Sequence, residues 1–189
     1  EVISFFRYFY VCKSLIYKFN LKINMKKPIS IAQIDWFGKK VILELFNDVK
    51  FEKLSPIVQV QAISFIDKGH IVLYKSSRDN YGCPGGHPEG NETWEETLNR
   101  ETHEEIAAKV LSCGPIGYIK ETNLETSEIK YQLRYWSFVE LLDEPINDPD
   151  DHSRERYVFP LSEALEKLNW GEIGDGLVKL ACQNIEKYE

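Results

Sequence analysis

Glu101, Glu104 and Glu105 fall within five residues of one another, downstream of a glycine pair in the stretch GGHPEGNETWEETLNRETHEEIAA, which runs from Gly85 to Ala108. On a helix turning about 100° per residue, Glu101 and Glu105 lie roughly 40° apart and Glu101 and Glu104 roughly 60° apart, so all three converge on one side. Like charges this close repel unless a cation stands between them. Carboxylate oxygens are hard ligands, suited to Mg²⁺ or Mn²⁺ bound together with substrate phosphates. The plain alternative is a solvated acidic helix face. Arg100 and His103 are too few to neutralise the cluster, which weighs against that alternative.

The helix itself follows from local signals. Thr93 and Glu96 have the spacing of a capping box, in which each side chain satisfies an amide of the first turn. Trp94, Leu98, Thr102 and Ile106 recur every four residues and form a mostly apolar stripe toward a core.

The same stretch resembles the Nudix box, G-x5-E-x7-R-E-U-x-E-E-x-G-U with U aliphatic. Gly86, Glu92, Arg100, Glu101, Glu104 and Glu105 occupy its opening glycine and all of its charged positions. Thr102 and Ala108 are weaker than the aliphatics the pattern asks for, and Ala107 replaces the closing glycine. That glycine lets the chain leave the helix with φ > 0, a conformation that costs alanine about 1 kcal/mol or more. Either the exit is strained or the helix runs further.

The resemblance implies an α/β fold, an α/β/α sandwich with a mixed β-sheet between helices. It also implies a hydrolase of phosphoric anhydride bonds acting on a nucleoside diphosphate linked to another group. The implied cofactor is Mg²⁺ or Mn²⁺, held by Glu101, Glu104 and Glu105 with the backbone at Gly86. Arg100 would orient a box glutamate, Glu92, and the candidate catalytic set is Arg100, Glu101, Glu104, Glu105 and Glu155. Glu155 stands near a position where family members carry a functional acid, and reads equally as an exposed partner of Arg154 or Arg156. Arg78 and Tyr81 stand at the basic and aromatic positions ahead of Pro84-Gly85-Gly86, as candidate substrate contacts. Arg78 reads equally as a surface arginine. No downstream motif marks an NADH, coenzyme A or ADP-ribose enzyme. Two other classes share the fold: a regulatory nucleotide-binding module without catalysis, and an isopentenyl-diphosphate-type isomerase. The isomerase needs a catalytic cysteine. Cys83, with no base placed beside it, reads as a packing residue.

Composition sets the frame. The 189 residues suffice for one domain with a sizeable core plus an extension. A net charge of −7 argues against nonspecific nucleic-acid binding; the partner that the resemblance implies is a small nucleotide, with a homodimer left open. Four scattered cysteines without a C-x-x-C pair favour reduced thiols and a cytoplasmic setting. No later stretch approaches a membrane-spanning length.

Residues 1–24 differ from the rest, with seven aromatics and four basic residues against one acid. The expectation is an extension outside the fold, upstream of a natural start at Met25. Residues 25–56 read as a hairpin extension around Gly38-Lys39-Lys40, and 57–189 as the Nudix domain. Ile57 to Ile66 and His70 to Lys75 form strands joined by Asp67-Lys68-Gly69. Ile116 to Thr122 and Lys130 to Leu142 follow as strands. The second alternates Tyr131, Leu133, Tyr135, Ser137 and Val139 against Gln132, Arg134, Trp136 and Phe138. Both faces of such a strand are covered, so Arg134 requires a partner or a ligand and joins the candidate substrate-binding set. A short strand from Tyr157, a short helix from Ser162 and a last helix after Gly174-Asp175-Gly176 complete the expectation.

Overall fold

A computed structural model describes residues 27–36, 38–151 and 154–188. The expectations for residues 1–24 and Met25 lie outside those residues. Nine strands form one mixed sheet: β1 (Ser30–Trp36), β2 (Lys39–Phe46), β3 (Ile57–Asp67), β4 (His70–Lys75), β5 (Tyr81–Gly82), β6 (Gly85–Gly86), β7 (Ala108–Asn123), β8 (Ile129–Leu141) and β9 (Glu155–Pro160). The main order is β1-β2-β7-β8-β3-β4-β5, with β6 on β3 and β9 on β4. β3 and β8 pair in parallel and the other pairs are antiparallel. Helix α1 (Trp94–Ile106) covers one face; α2 (Leu161–Leu168) and α3 (Gly171–Ile185) cover the other. The expected sandwich is therefore the observed architecture.

The alternation read for β8 decides which helix each side chain meets. Leu133 and Tyr135 join Val60, Ala62 and Leu98 beneath α1. Trp136 joins Ile63, Phe65, Leu45, Leu177 and Ile185 beneath α3. The hairpin β1–β2 extends this same sheet through β7, and Val41, Leu43 and Leu45 enter the α3 core. Among the described residues no helix is long and apolar enough to cross a membrane.

Helix α1 starts as expected. The Thr93 amide donates to Glu96 Oε2 at 2.8 Å, and the Glu96 amide to Thr93 Oγ1 at 3.2 Å. Such a cap contributes about 1 kcal/mol. Full burial of Leu98 and Ile106 contributes about 1.5–3 kcal/mol each, so packing on the sheet dominates and the cap sets where the helix begins.

Two helix boundaries turn on glycine. Helix α3 begins at Gly171 and runs through Gly174 and Gly176, so the expectation that it follows those glycines was wrong. Close approach explains their place inside it: a Cβ at Gly176 would stand 2.8 Å from Leu45 Cδ2, and one at Gly174 2.7 Å from Trp170 Cβ. At the other boundary, α1 stops at Ile106, and Ala107 takes the left-handed conformation (φ 44°, ψ 58°) with its amide on the His103 carbonyl. Of the two exits expected, this is the strained one.

Ala107 is also almost fully buried. An Ala107→Gly change relieves about 1 kcal/mol of backbone strain and removes a methyl whose burial stabilises by about 0.8 kcal/mol. The two nearly cancel, so denaturant unfolding of Ala107→Gly should stay within about 0.5 kcal/mol of the parent. Ala107→Val, β-branched at positive φ in a packed site, should lose more than about 2 kcal/mol.

Candidate active site

The loop from Gly85 to Glu92 lies against α1 because the backbone there carries no side chain. A Cβ at Gly86 would stand 2.0 Å from Glu101 Oε1, and one at Gly85 2.3 Å from the Val60 carbonyl. Any larger residue would push the loop off both the helix and β3. The Gly85 amide donates to Glu105 Oε2 at 2.8 Å, fixing that carboxylate against the glycine turn.

Arg100 organises the acids. Its Nε and Nη2 fork onto Glu92 at 2.9 and 3.2 Å, the bidentate geometry that planar guanidinium favours. Nη1 donates to Glu101 Oε1 at 3.0 Å and Glu104 Oε2 at 2.9 Å, and Nη2 also reaches the His87 carbonyl at 3.0 Å. One cation thus ties three carboxylates and the glycine loop together. The pairing expected between Arg100 and Glu92 is present in this form. Burial raises the Glu101 carboxyl above its ordinary range; Arg100 opposes that rise, while Glu104 and Asp148 add to it.

Glu105 has a second partner, Arg154, whose Nη1 donates to Glu105 Oε1. Arg154 Nε stands 2.8 Å from Asp148 Oδ2, close enough for an ion pair but not aligned as a hydrogen bond. The same guanidinium lies 4.1 Å from the centroid of the Tyr74 ring. Asp148, 3% exposed, takes the Asp150 amide at 2.7 Å, so the loop after β8 folds this acid toward the box. Neither Asp148 nor Arg154 was picked out from sequence; the only signal was an Asn147-Asp148-Pro149-Asp150 run in an acidic loop.

Glu155 requires correction as a candidate base. Successive residues of β9 point to opposite sides. Arg154, the residue just before β9, faces the box, and Arg156 donates to the carbonyls of Ile106 and Ala107. Glu155 instead accepts from the Tyr157 hydroxyl, away from α1. Its expected pairing with either arginine is absent from the described contacts.

The candidate substrate contacts are not brought together. Tyr81 packs edge-on against Tyr157 and Phe159 and lines a depression with Asn80, Leu168 and Trp170. Arg78 is exposed on the neighbouring turn, where its amide donates to Ser76 Oγ at 3.3 Å. Arg134 is 5% exposed, donating to Gln132 Oε1 and the Leu133 carbonyl, so it is corrected from a direct contact to a buried group. Cys83 is fully buried and its thiol is pushed up to about 12 by burial, unsuited to nucleophilic work. A separate cleft of about 370 Å³ adjoins the box at His87 and is lined by Val41, Val58, Gln59, Glu121 and Gln132, with Lys39 and Lys130.

The chain matches the model of the NUDIX domain over residues 56–179. It belongs to the Nudix family. The expected class, a Nudix hydrolase acting on phosphoric anhydride bonds, agrees with that membership. No curated protein matches the sequence. Among solved structures, a variant of the Bacillus subtilis pyrophosphohydrolase BsRppH aligns with a TM-score of 0.60 at 18% identity, covering 82% of this chain and 96% of its own. A NUDIX hydrolase from Nitrosomonas europaea aligns at 0.57 and 17% identity, covering 69% and 90%. An ADP compounds hydrolase aligns at 0.51 and 14% identity, covering 86% and 96%. At these identities the likeness shows the fold.

The chemistry of the donors suits a hard divalent cation. Glu101, Glu104 and Glu105 supply carboxylate oxygens beside a glycine backbone, and Glu101 is half-buried without enough cations to offset its burial. Among the described residues, no three His, Cys, Asp or Glu side chains surround one point closely enough to hold an ion. Arg100 and Arg154 stand among these carboxylates.

Glu92 gives the Nudix site a pH signature. Its carboxyl is held down at about 2, first by Arg100 and then by the Glu89 backbone. A depressed carboxylate stabilises the fold above its unfolded pKa of about 4.3 and loses that contribution as pH falls toward the folded value. The stability gap between wild type and Glu92→Gln should therefore be constant above about pH 5 and close between about pH 4.5 and 2. Chemical denaturation across that range checks it.

Proposed function

We propose that this protein is a divalent-metal-dependent hydrolase of a diphosphate linkage in a nucleoside diphosphate derivative. The observation that carries the reading is Glu105 held on the Gly85 amide and Glu101 packed against Gly86, with Glu104 joined to Glu101 through Arg100, beside a cleft large enough for a nucleoside. Those three glutamates would hold Mg²⁺ or Mn²⁺. When bound, such an ion neutralises diphosphate charge and lowers the pKa of water for attack at phosphorus.

The remaining work falls to the chain. Arg100, forked on Glu92, keeps the His87 carbonyl and the glycine loop in register with the acids. The Gly85 amide aims Glu105 by holding one of its oxygens. With Glu155 on the opposite side and Asp148 paired with Arg154, the general base is assigned to a box glutamate. Glu101 and Glu104 each have one oxygen on Arg100, leaving one oxygen apiece, so that one of the pair can take the proton of the attacking water while the other stays with the metal. Free thiols at Cys83, Cys113 and Cys182 support the cytoplasmic setting.

A second reading, a nucleotide-binding module without turnover, is favoured by one observation: Arg154 sits on Glu105 and Arg100 on Glu101 and Glu104. Turnover decides between them. A panel of nucleoside diphosphate derivatives incubated with Mg²⁺ or Mn²⁺ should release a phosphate product. Glu104→Gln and Glu105→Gln should each lower kcat by at least about a hundredfold with the fold intact by circular dichroism. Unchanged activity in both variants would remove the metal-site assignment, and binding without product would leave the regulatory module.

A further inference from the structure

Arg134 is a buried cation in an unusual position. It is 5% exposed, forms no ion pair among the described residues, and its Nε has no hydrogen-bond partner. Burial pulls its guanidinium down to about 10. Burying an uncompensated charge is expensive, which places weight on the few acceptors that meet it. The group it meets on the cleft side is Gln132, whose Oε1 accepts from Arg134 Nη2. Gln132 Nε2 in turn donates to Glu121 Oε2 at 2.8 Å.

This relay has one direction. Guanidinium carries donors only and an ionised carboxylate acceptors only. Turning the Gln132 amide over would set N–H against N–H at one end and oxygen against oxygen at the other. Arg134 therefore fixes Gln132, and Gln132 fixes Glu121. Gln132 is itself 5% exposed, so neither it nor Arg134 is free to swing. The relay ends at the cleft, which Glu121 lines together with the apolar Val41 and Val58. Glu121 lines a space that adjoins the box at His87, and Gln132 occupies only one of the carboxylate's lone-pair sites, so its two oxygens remain an anchored pair of adjacent acceptors. Lys39 and Lys130 line the same space and offset the negative charge that would otherwise repel a diphosphate. Lys130 leans toward Glu128, at 3.5 Å.

We propose that Glu121 is a specificity-determining residue of this cleft, and that Arg134 acts through Gln132 as its positioning residue. The moiety selected is the non-phosphate end of a nucleoside diphosphate derivative that presents two adjacent N–H or O–H donors. Two sources carry that chemistry: the Watson–Crick edge of guanine, with its ring N–H and exocyclic amine, and the vicinal diol of ribose. The inference rests on the nucleotide reading above but not on turnover.

Equilibrium binding of methylene-bridged nucleoside diphosphates, which cannot be cleaved at the bridge, tests it on the full-length protein. Guanosine, inosine and 2′,3′-dideoxyguanosine forms separate the two sources, since the second lacks the exocyclic amine and the third lacks the diol. The wild type should bind the guanosine form about 10- to 100-fold tighter than one of the other two, the worth of a charge-assisted hydrogen bond. Glu121→Gln should abolish that preference. Arg134→Met should weaken it by about tenfold although residue 134 does not touch the ligand, and Arg134→Lys, which keeps a donor for Gln132, should recover part of it. If Arg134→Met does not fold, Glu121→Gln and Arg134→Lys still decide. Equal binding of all three nucleotides by the wild type, or a preference unchanged in Glu121→Gln, overturns the proposal. A protein that shows the preference yet releases no product overturns the hydrolase reading alone.

Discussion

Four carboxylates, Glu92, Glu101, Glu104 and Glu105, crowd the start and one side of a single helix, and the arrangement depends on how their charge is met. Arg100 carries most of that burden. Its guanidinium spans Glu92, Glu101 and Glu104 and also takes the His87 carbonyl, so one side chain joins loop to helix. A lysine, a point charge on a flexible stem, could not hold that geometry. The remaining acid, Glu105, is held by the Gly85 amide and by Arg154 from a different part of the chain. The two arginines make the carboxylate cluster compatible with a folded protein.

The sheet supplies the rigidity behind this electrostatic arrangement. Gly85 and Gly86 pair with Gln61 and Val60 on β3, and β3 pairs in parallel with β8. The box loop, the α1 face and the cleft wall are consequently referred to the same pair of central strands. Gln132 and Arg134 lie on β8, one register step from the strand that carries the glycine loop. Because β3 and β8 are hydrogen-bonded neighbours, the glycine loop and the cleft wall keep a fixed separation, which suits the proposed alignment of a diphosphate with the group beyond it.

Much of this is legible in the sequence. Local periodicity and capping chemistry placed α1, because the hydrogen bonds of a first turn involve residues only a few positions apart. Two-residue alternation placed β8 and assigned its faces, because the pleat enforces it. The glycines inside α3 were misread as a break, since sequence shows glycine's conformational cost and not the neighbouring Leu45 and Trp170 that leave no room for a Cβ. Glu155 was misplaced because its side of the strand depends on the register of β9 against β4, a pairing between segments distant in sequence.

The sequence by itself determined the acids, their spacing on one helical turn and the glycine backbone beside them, and these settle the family and the class of chemistry. Only the tertiary structure decided which charges answer those acids and what lies next to them. Arg154 and Asp148 reach the box through a loop some forty residues downstream of α1. Arg134, which alternation could mark only as a residue needing a partner, is buried and donates to Gln132, which in turn donates to Glu121 at the cleft. The physical reason is range. Helical spacing and caps are local, whereas the neutralisation of buried charge depends on whatever the folded chain brings within a few ångströms, which spacing along the sequence does not encode.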